Sequence, residues 1–244
     1  MKLKRLKKFV KTIFLYVSAG FFSLSVLSVV ILKWMPVYVT PLMIQRYIEN
    51  FSNKNYHISK QWVSLSEISP DLQLAVMAGE DSRFLDHSGF DWVEIDNAIE
   101  AGRSGRKLRG ASTISQQTAR NVFLLPCRSW IRKGLEAYFT KLIEWIWGKK
   151  RIMEVYLNVA EMGRGIFGAQ AAAVKLFGTD ALHLPAYKCA LIAACLPNPN
   201  RRHAEKPSGY VKERAGKIMY YMVTLKRPGW LSAKKAEHKN KRRK

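Results

Sequence analysis

This chain of 244 residues is short of acidic residues: 18 Asp and Glu stand against 41 Lys and Arg, a formal net charge of +23. That imbalance implies an anionic partner, whether nucleic acid, an anionic membrane surface or a phosphorylated substrate. Part of the excess lies at the ends. Residues 2–11 hold six Lys or Arg and no acid, and residues 226–244 hold nine against Glu237 alone. Cysteine is sparser still, at three residues. Cys127, Cys189 and Cys195 are odd in number, which excludes a complete disulfide framework. Cys189 and Cys195 fall six apart on one predicted helix, on different faces, and read as small buried apolar residues. Strand signals are scarce and no internal repeat is evident, so the fold class is mostly α.

Charge is also missing from Thr12 to Leu32, a run of 21 residues rich in Phe, Leu, Val and Ile. At about 1.5 Å per residue it spans roughly 30 Å, the hydrocarbon thickness of a bilayer. Lys33-Trp34-Met35-Pro36 lacks the small residues of a signal cleavage site, so the run reads as an uncleaved transmembrane anchor. Six basic residues precede it and Lys33 alone closely follows, which by the positive-inside rule puts residues 1–11 in the cytoplasm. The rest of the chain is then expected outside the cytoplasm, which argues against nucleic acid as its target. Residues 36–65 suit a short juxtamembrane helix and connectors, with Trp and Tyr near the lipid headgroups.

Ser69-Pro70-Asp71 is a helix start signal, and the helix it opens delivers Glu80 at its far end. Carboxylates follow at Asp81, Asp86 and Asp91, with His87 and Gly89 among them. Taken alone, this stretch fits either a solvated helix boundary or a carboxylate at a cleft edge poised to take a proton. Further helices are expected over Val93–Ala101, Ile114–Leu125, Ile131–Trp147, Lys149–Ala160, Gly168–Phe177, Pro185–Leu196 and Ser208–Leu225. The helix over 131–147 has the clearest 3.6-residue apolar stripe: Ile131, Leu135, Tyr138, Phe139, Leu142, Ile143 and Ile146. Arg132, Lys133 and Glu136 lie off that stripe.

From Ala101 to Leu135 there is no acid at all, while Arg103, Arg106, Lys107, Arg109, Arg120, Arg128, Arg132 and Lys133 all fall inside the window. A field of one sign repels itself unless an anion sits in it. Within the window, Gly110-Ala111-Ser112-Thr113 precedes a helix, and free N–H groups and hydroxyls at a helix N-terminus are a natural seat for phosphate. Gln116 and Gln117 add neutral donors beside it.

Several of these segments are pieces of one ordered series. It comprises Glu80-Asp81-x-x-Phe84-x-x-His87-x-Gly89, then Gly110-x-Ser112-Thr113-Ile114-x-Gln116-Gln117-x-x-Arg120-Asn121, then Arg132-Lys133-x-x-Glu136 and Ile152-x-Glu154-x-Tyr156-Leu157-Asn158. Gly168-x-x-x-Ala172, Phe177-Gly178, Ala193 and Pro197-x-Pro199 complete it. In that order and spacing the chain resembles the family 51 glycosyltransferases, the peptidoglycan glycosyltransferases, and most of all their single-domain form. One departure stands out: the family usually has Lys where this chain has Arg120. Arg keeps the charge and forks onto phosphate, though the two side chains are not interchangeable.

The resemblance implies a lysozyme-like helical glycosyltransferase domain over residues 33–225, no transpeptidase domain, and a basic, disordered tail over 226–244. It implies an enzyme of bacterial cell-wall synthesis at the inner membrane. Such an enzyme polymerises lipid II into glycan strands, with inversion and release of undecaprenyl pyrophosphate. By the same resemblance Glu80 is the general base and Glu136 a second functional glutamate organising the donor side. Ser112, Gln116, Gln117, Arg120, Arg128, Arg132 and Lys133 are expected to bind the pyrophosphate. A divalent cation, Mg²⁺, is expected to be held largely by the substrate's diphosphate, with Asp81 as the candidate protein ligand. Expected partners are lipid II, the growing glycan, membrane lipids and other cell-wall synthesis proteins. Two rivals remain open: a membrane-bound lytic transglycosylase or muramidase using Glu80 as an acid, and a non-enzymatic basic scaffold bound to anionic lipid.

Overall fold

The computed structural model describes residues 2–105, 110, 112–127 and 129–231. It divides into two units, Met1–Pro36 and Val37–Lys244. The first is a single helix, α1 (Lys2–Leu32), of 31 residues with no proline to interrupt it. Its segment Arg5–Leu32 is long and apolar enough to cross a membrane. The helix continues N-terminally through the basic residues that precede the uncharged run.

The second unit carries α2 (Pro41–Glu49), β1 (Ser59–Lys60), a 3₁₀ turn at Leu65–Glu67, α3 (Pro70–Glu80), α4 (Trp92–Arg103), α5 (Ile114–Phe123), α6 (Trp130–Ile146) and α7 (Gly148–Val159). After these come β2 (Glu161–Gly163), β3 (Ile166–Phe167), α8 (Ala169–Phe177), α9 (Ala186–Cys195) and α10 (Gly209–Thr224). The expected helices are all present. The strands pair in the order β1–β3–β2, parallel and then antiparallel. Each is two or three residues long, too short to display the alternation by which a strand is read from sequence.

Two helical groups make the core. In one, α3, α9 and α10 pack on one another; in the other, α5, α6 and α7 do. Cys189 through Cys195 are buried without interruption, because α9 is apolar all round and has neighbours on every side. Both α9 thiols are free, and burial pushes them up to about 12 for Cys189 and about 11 for Cys195, so neither is a reactive thiolate. Cys127 is exposed. At Gly79 the first group closes tightly: a Cβ there would lie 3.2 Å from Ile218 of α10 and 3.6 Å from Ala193 of α9. The residue next to it is Glu80.

Three features depart from the sequence pattern. Ile131 begins the apolar stripe of α6 yet is 78% exposed, whereas Glu136, off the stripe, is 1% exposed. The glutamate is tolerated there because two cations of its own helix bind it, as described below. Helix α4 exists, but none of its residues is buried. Finally, the start of the basic tail is docked: the Trp230 indole donates to Gln73 Oε1 of α3 at 3.0 Å, and Lys226 lies 3.3 Å from Asp86. Residues 232–244 of the expected disordered tail lie outside the described residues.

Candidate active site

Helix α3 starts where its local chemistry directs. Pro70 occupies the first turn and the Ser69 hydroxyl accepts from the Asp71 N–H. Eleven residues later the helix ends at Glu80. Glu80 Oε2 accepts a hydrogen bond from Gln117 Nε2 on α5 at 2.9 Å. The Gln117 carbonyl oxygen accepts in turn from the Tyr156 hydroxyl on α7 at 3.2 Å. Burial pushes the Glu80 carboxyl above its ordinary range, while the Gln117 bond and the charges of Arg214, Arg120 and Arg202 pull the other way. The outcome is a carboxylate held ready to accept a proton. Burial, with the charges of Glu80 and Asp81, pushes the Tyr156 phenol well above its ordinary range, so it stays protonated.

Asp81 is turned the other way. Its Oδ2 accepts from the Ile114 N–H at the start of α5 at 2.9 Å, and His87 Nε2 lies 3.0 and 3.1 Å from its two oxygens. His87 Nδ1 accepts from the Gly89 N–H at 3.1 Å, which leaves Nε2 as the nitrogen that bonds Asp81. Gly89 has φ +95°, and a Cβ on it would meet Thr140 Cγ2 at 2.8 Å. Its carbonyl accepts from the Thr113 hydroxyl at 2.6 Å. These bonds tie the turn after α3 to the start of α5. Asp91, whose Oδ1 accepts from the Glu94 N–H, caps α4.

Asp81, His87 and Asp91 place ligand-type atoms within 4.8 Å of one another. They do not fit a divalent cation. The His87 nitrogen that faces Asp81 is already bonded to it, and both Asp81 oxygens have partners, one of them the Ile114 N–H.

The first turn of α5 is likewise capped from within the protein. Thr113 and Gln116 form a capping box: the Gln116 N–H donates to the Thr113 hydroxyl, and Gln116 Oε1 accepts from the Thr113 N–H at 2.9 Å. Gln116, expected among the neutral donors of a phosphate seat, uses its carbonyl oxygen in the cap, which leaves the Nε2 donors uncommitted among the described residues. Ser112 precedes it, half-buried. Arg120 lies further along α5, half-buried, where its charge acts on both Glu80 and Tyr156.

Glu136 anchors a second cluster. Arg132 Nη1 donates to its Oε2 at 2.7 Å, one turn away on the same face, and Lys133 binds its Oε1. With two cations on one carboxylate the cluster keeps a positive charge. Arg132 Nε is buried and has no hydrogen-bond partner among the described residues. A cavity of about 350 Å³ opens beside it, lined by Ser129, Trp130, Arg132 and Lys133. Arg128 lies outside the described residues.

The structure thus joins Glu80, Gln117 and Arg120 at one place, and Arg132, Lys133 and Glu136 at another. It adds Tyr156, Arg202 and Arg214 to the surroundings of Glu80. Tyr156 was visible as a motif residue without a role. The two arginines carry no local signal, because helix packing alone brings them to Glu80. Arg214 donates to the Gly79 carbonyl at 3.2 Å, and Arg202 to the Ala194 carbonyl at 3.2 Å.

The chain is thus mostly helical, with a membrane-length helix, a half-buried carboxylate near arginines and a second, cation-bound glutamate. The Transglycosylase family model matches residues 45–223, and the chain belongs to that family. It is 45% identical to a biosynthetic peptidoglycan transglycosylase of Bacteroides thetaiotaomicron over 245 aligned positions, covering 100% of this chain and 97% of that protein. It is 49% identical to proteins of the same description from Stutzerimonas stutzeri, covering 88% of this chain and 90% of that one, and from Shewanella oneidensis, covering 85% and 91%.

Proposed function

We propose that this chain polymerises lipid II into the glycan strands of peptidoglycan, with Glu80 as the general base. The observation that carries this is the setting of Glu80, a carboxylate raised by burial, hydrogen-bonded through one oxygen and ringed by arginines. Its family and the description shared by its relatives supply the substrate class.

A sugar hydroxyl is too weak an acid to ionise at neutral pH, so its proton leaves only as the new bond forms. The acceptor lipid II offers its GlcNAc 4-hydroxyl, whose oxygen bonds to the anomeric carbon of the donor glycan. The bond from that carbon to the phosphate oxygen breaks as the hydroxyl proton passes to Glu80. Undecaprenyl pyrophosphate departs with the electron pair, and attack from the opposite face inverts α to β. Negative charge grows on the diphosphate during this step. Cations stabilise that charge in the transition state; Arg120, Arg132 and Lys133 with the Ser112 hydroxyl are the candidates, joined by Arg128 on the strength of the sequence alone. Glu136 holds Arg132 and Lys133 in register for that task. Gln116 shapes the start of α5 through its carbonyl oxygen and keeps its amide donors for the diphosphate. A divalent cation, if bound, would take oxygen ligands from the substrate's own diphosphate and supply positive charge there, since Asp81 and His87 are bonded to each other.

Both substrates carry lipid tails, which accounts for the anchor helix α1 with its basic N-terminal flank on the cytoplasmic side and the domain outside. Trp130 and Ile131, 92% and 78% exposed beside Arg132 and Lys133, suit an edge that meets lipid. The test is Glu80→Gln in the full chain with lipid II. The rate is expected to fall by about 10²–10⁴-fold while lipid II is still bound; a rate near wild type removes Glu80 from the role of base.

A further inference from the structure

Among the described residues the Tyr156 hydroxyl makes one hydrogen bond, donated to Gln117, the one side chain that bonds the Glu80 carboxylate. Tyr156 is 1% exposed, in the middle of the α5–α6–α7 group. A buried hydroxyl is costly unless bonded, so packing alone favours Phe at such a position. What the hydroxyl reaches is Gln117 Oε1, at 3.2 Å.

A glutamine amide is nearly symmetrical in shape and opposite in polarity at its two ends. Turned by 180°, Gln117 would place its carbonyl oxygen, and no donor, against Glu80 Oε2. The hydroxyl of Tyr156 opposes that turn by occupying the carbonyl end. Because the phenol stays protonated, a donor is always available there. With Oε2 held, the carboxylate cannot rotate freely, and Oε1, which receives no hydrogen bond from the described residues, is the oxygen left for the acceptor hydroxyl. Three helices contribute one link each: α3 the base, α5 the amide, α7 the phenol.

We infer that Tyr156 is a positioning residue for the reaction, setting the orientation of the Gln117 amide and through it the aim of the Glu80 carboxylate. The inference rests on Glu80 being the general base and assigns Gln117 to the base itself. Neither side chain is required to touch the sugar or the diphosphate.

The experiment is a double-mutant cycle on the full chain in detergent with lipid II, using Tyr156→Phe, Gln117→Met and both together, with kcat, KM and the unfolding temperature measured for each. Both exchanges keep side-chain volume. Tyr156→Phe is expected to lower kcat about tenfold with KM little changed, as a misaimed base does. Gln117→Met lowers kcat at least as far. The double variant is no slower than Gln117→Met alone, because the phenol then has nothing to act through. Losses that multiply in the double variant, an unchanged kcat in Tyr156→Phe, or a loss confined to folding or KM each overturn the inference. The prior claim is separated by Glu80→Gln in the same assay. A near-wild-type rate there sinks both, whereas a large loss alongside multiplying Tyr156 and Gln117 effects sinks only this one.

Discussion

Arg214 donates from Nη2 to the backbone carbonyl of Gly79 at 3.2 Å, the residue immediately before Glu80. One side chain of α10 thus grips the end of α3 and brings a cation to the carboxylate that α3 delivers. Arg214 is the first of the charges that hold Glu80 down against burial. Its Nε is buried and has no hydrogen-bond partner among the described residues.

Removing that cation has a signed consequence. Glu80 works as a base only when ionised, so the rate falls as pH drops through its pKa, which burial already sets above the usual carboxylate range. Arg214→Met takes away a favourable charge and moves the acidic limb of the rate profile to higher pH. A pH series of initial rates checks this; a limb that stays in place means Arg214 grips the backbone and nothing more.

The same burial makes Glu80 a stability cost. The folded carboxyl holds its proton to higher pH than the unfolded one, so its contribution is favourable at low pH and is lost as pH rises through the folded pKa. At neutral pH the neutral, isosteric Glu80→Gln is therefore expected to stabilise the fold while stopping turnover. A gain on the order of 1 kcal/mol would raise the unfolding temperature by about 2–4 °C in a chain of this size. Thermal unfolding of the two proteins in one detergent measures it, and a fall in temperature contradicts the burial argument.

Asp81 is adjacent to Glu80 and has a different task. Asp81→Asn keeps an acceptor for the Ile114 N–H but loses the charge that both bonds use, so a loss of about 1–3 kcal/mol is expected. The Mg²⁺ concentration for half-maximal activity should be unchanged. A rise in that concentration would make Asp81 a metal ligand after all.

Arg120 stands where the family usually has Lys. Its charge acts on Glu80 from a half-buried position on α5, and Lys would keep that charge. Arg120→Lys is expected to change kcat by less than about tenfold, through lost forked bonds to phosphate. A large gain in steady-state rate would show that the exchange impairs this chain.

What was legible in the sequence was what local chemistry decides. Ser69-Pro70 starts α3, and the Thr113–Gln116 capping box starts α5, because each signal and its partner lie within one turn. The resemblance in motif order led to Glu80, Gln117 and Glu136 in the same way, through residues close together in the chain. The strands escaped, since Ser59 and Lys60 find their partners at Ile166 and Phe167 and nothing local announces a two-residue strand. So did Arg214 and Arg202, which reach Glu80 only after α9 and α10 pack on α3. Gln116 reads from the sequence as a neutral donor beside a basic field; the structure adds that its carbonyl oxygen caps the helix start. The burial of Glu136 against the apolar stripe has a local cause in Arg132 and Lys133, which both bind its carboxylate in the folded helix.

The central claim is synthesis of glycan by displacement of a diphosphate, and the fate of lipid II tests it most directly. The purified full chain, given lipid II and Mg²⁺, is expected to yield long glycan strands with one undecaprenyl pyrophosphate released for each disaccharide added. Preformed glycan should be left at its original length. Shortening of that glycan while lipid II is ignored would contradict the account and make Glu80 the acid of a lytic enzyme.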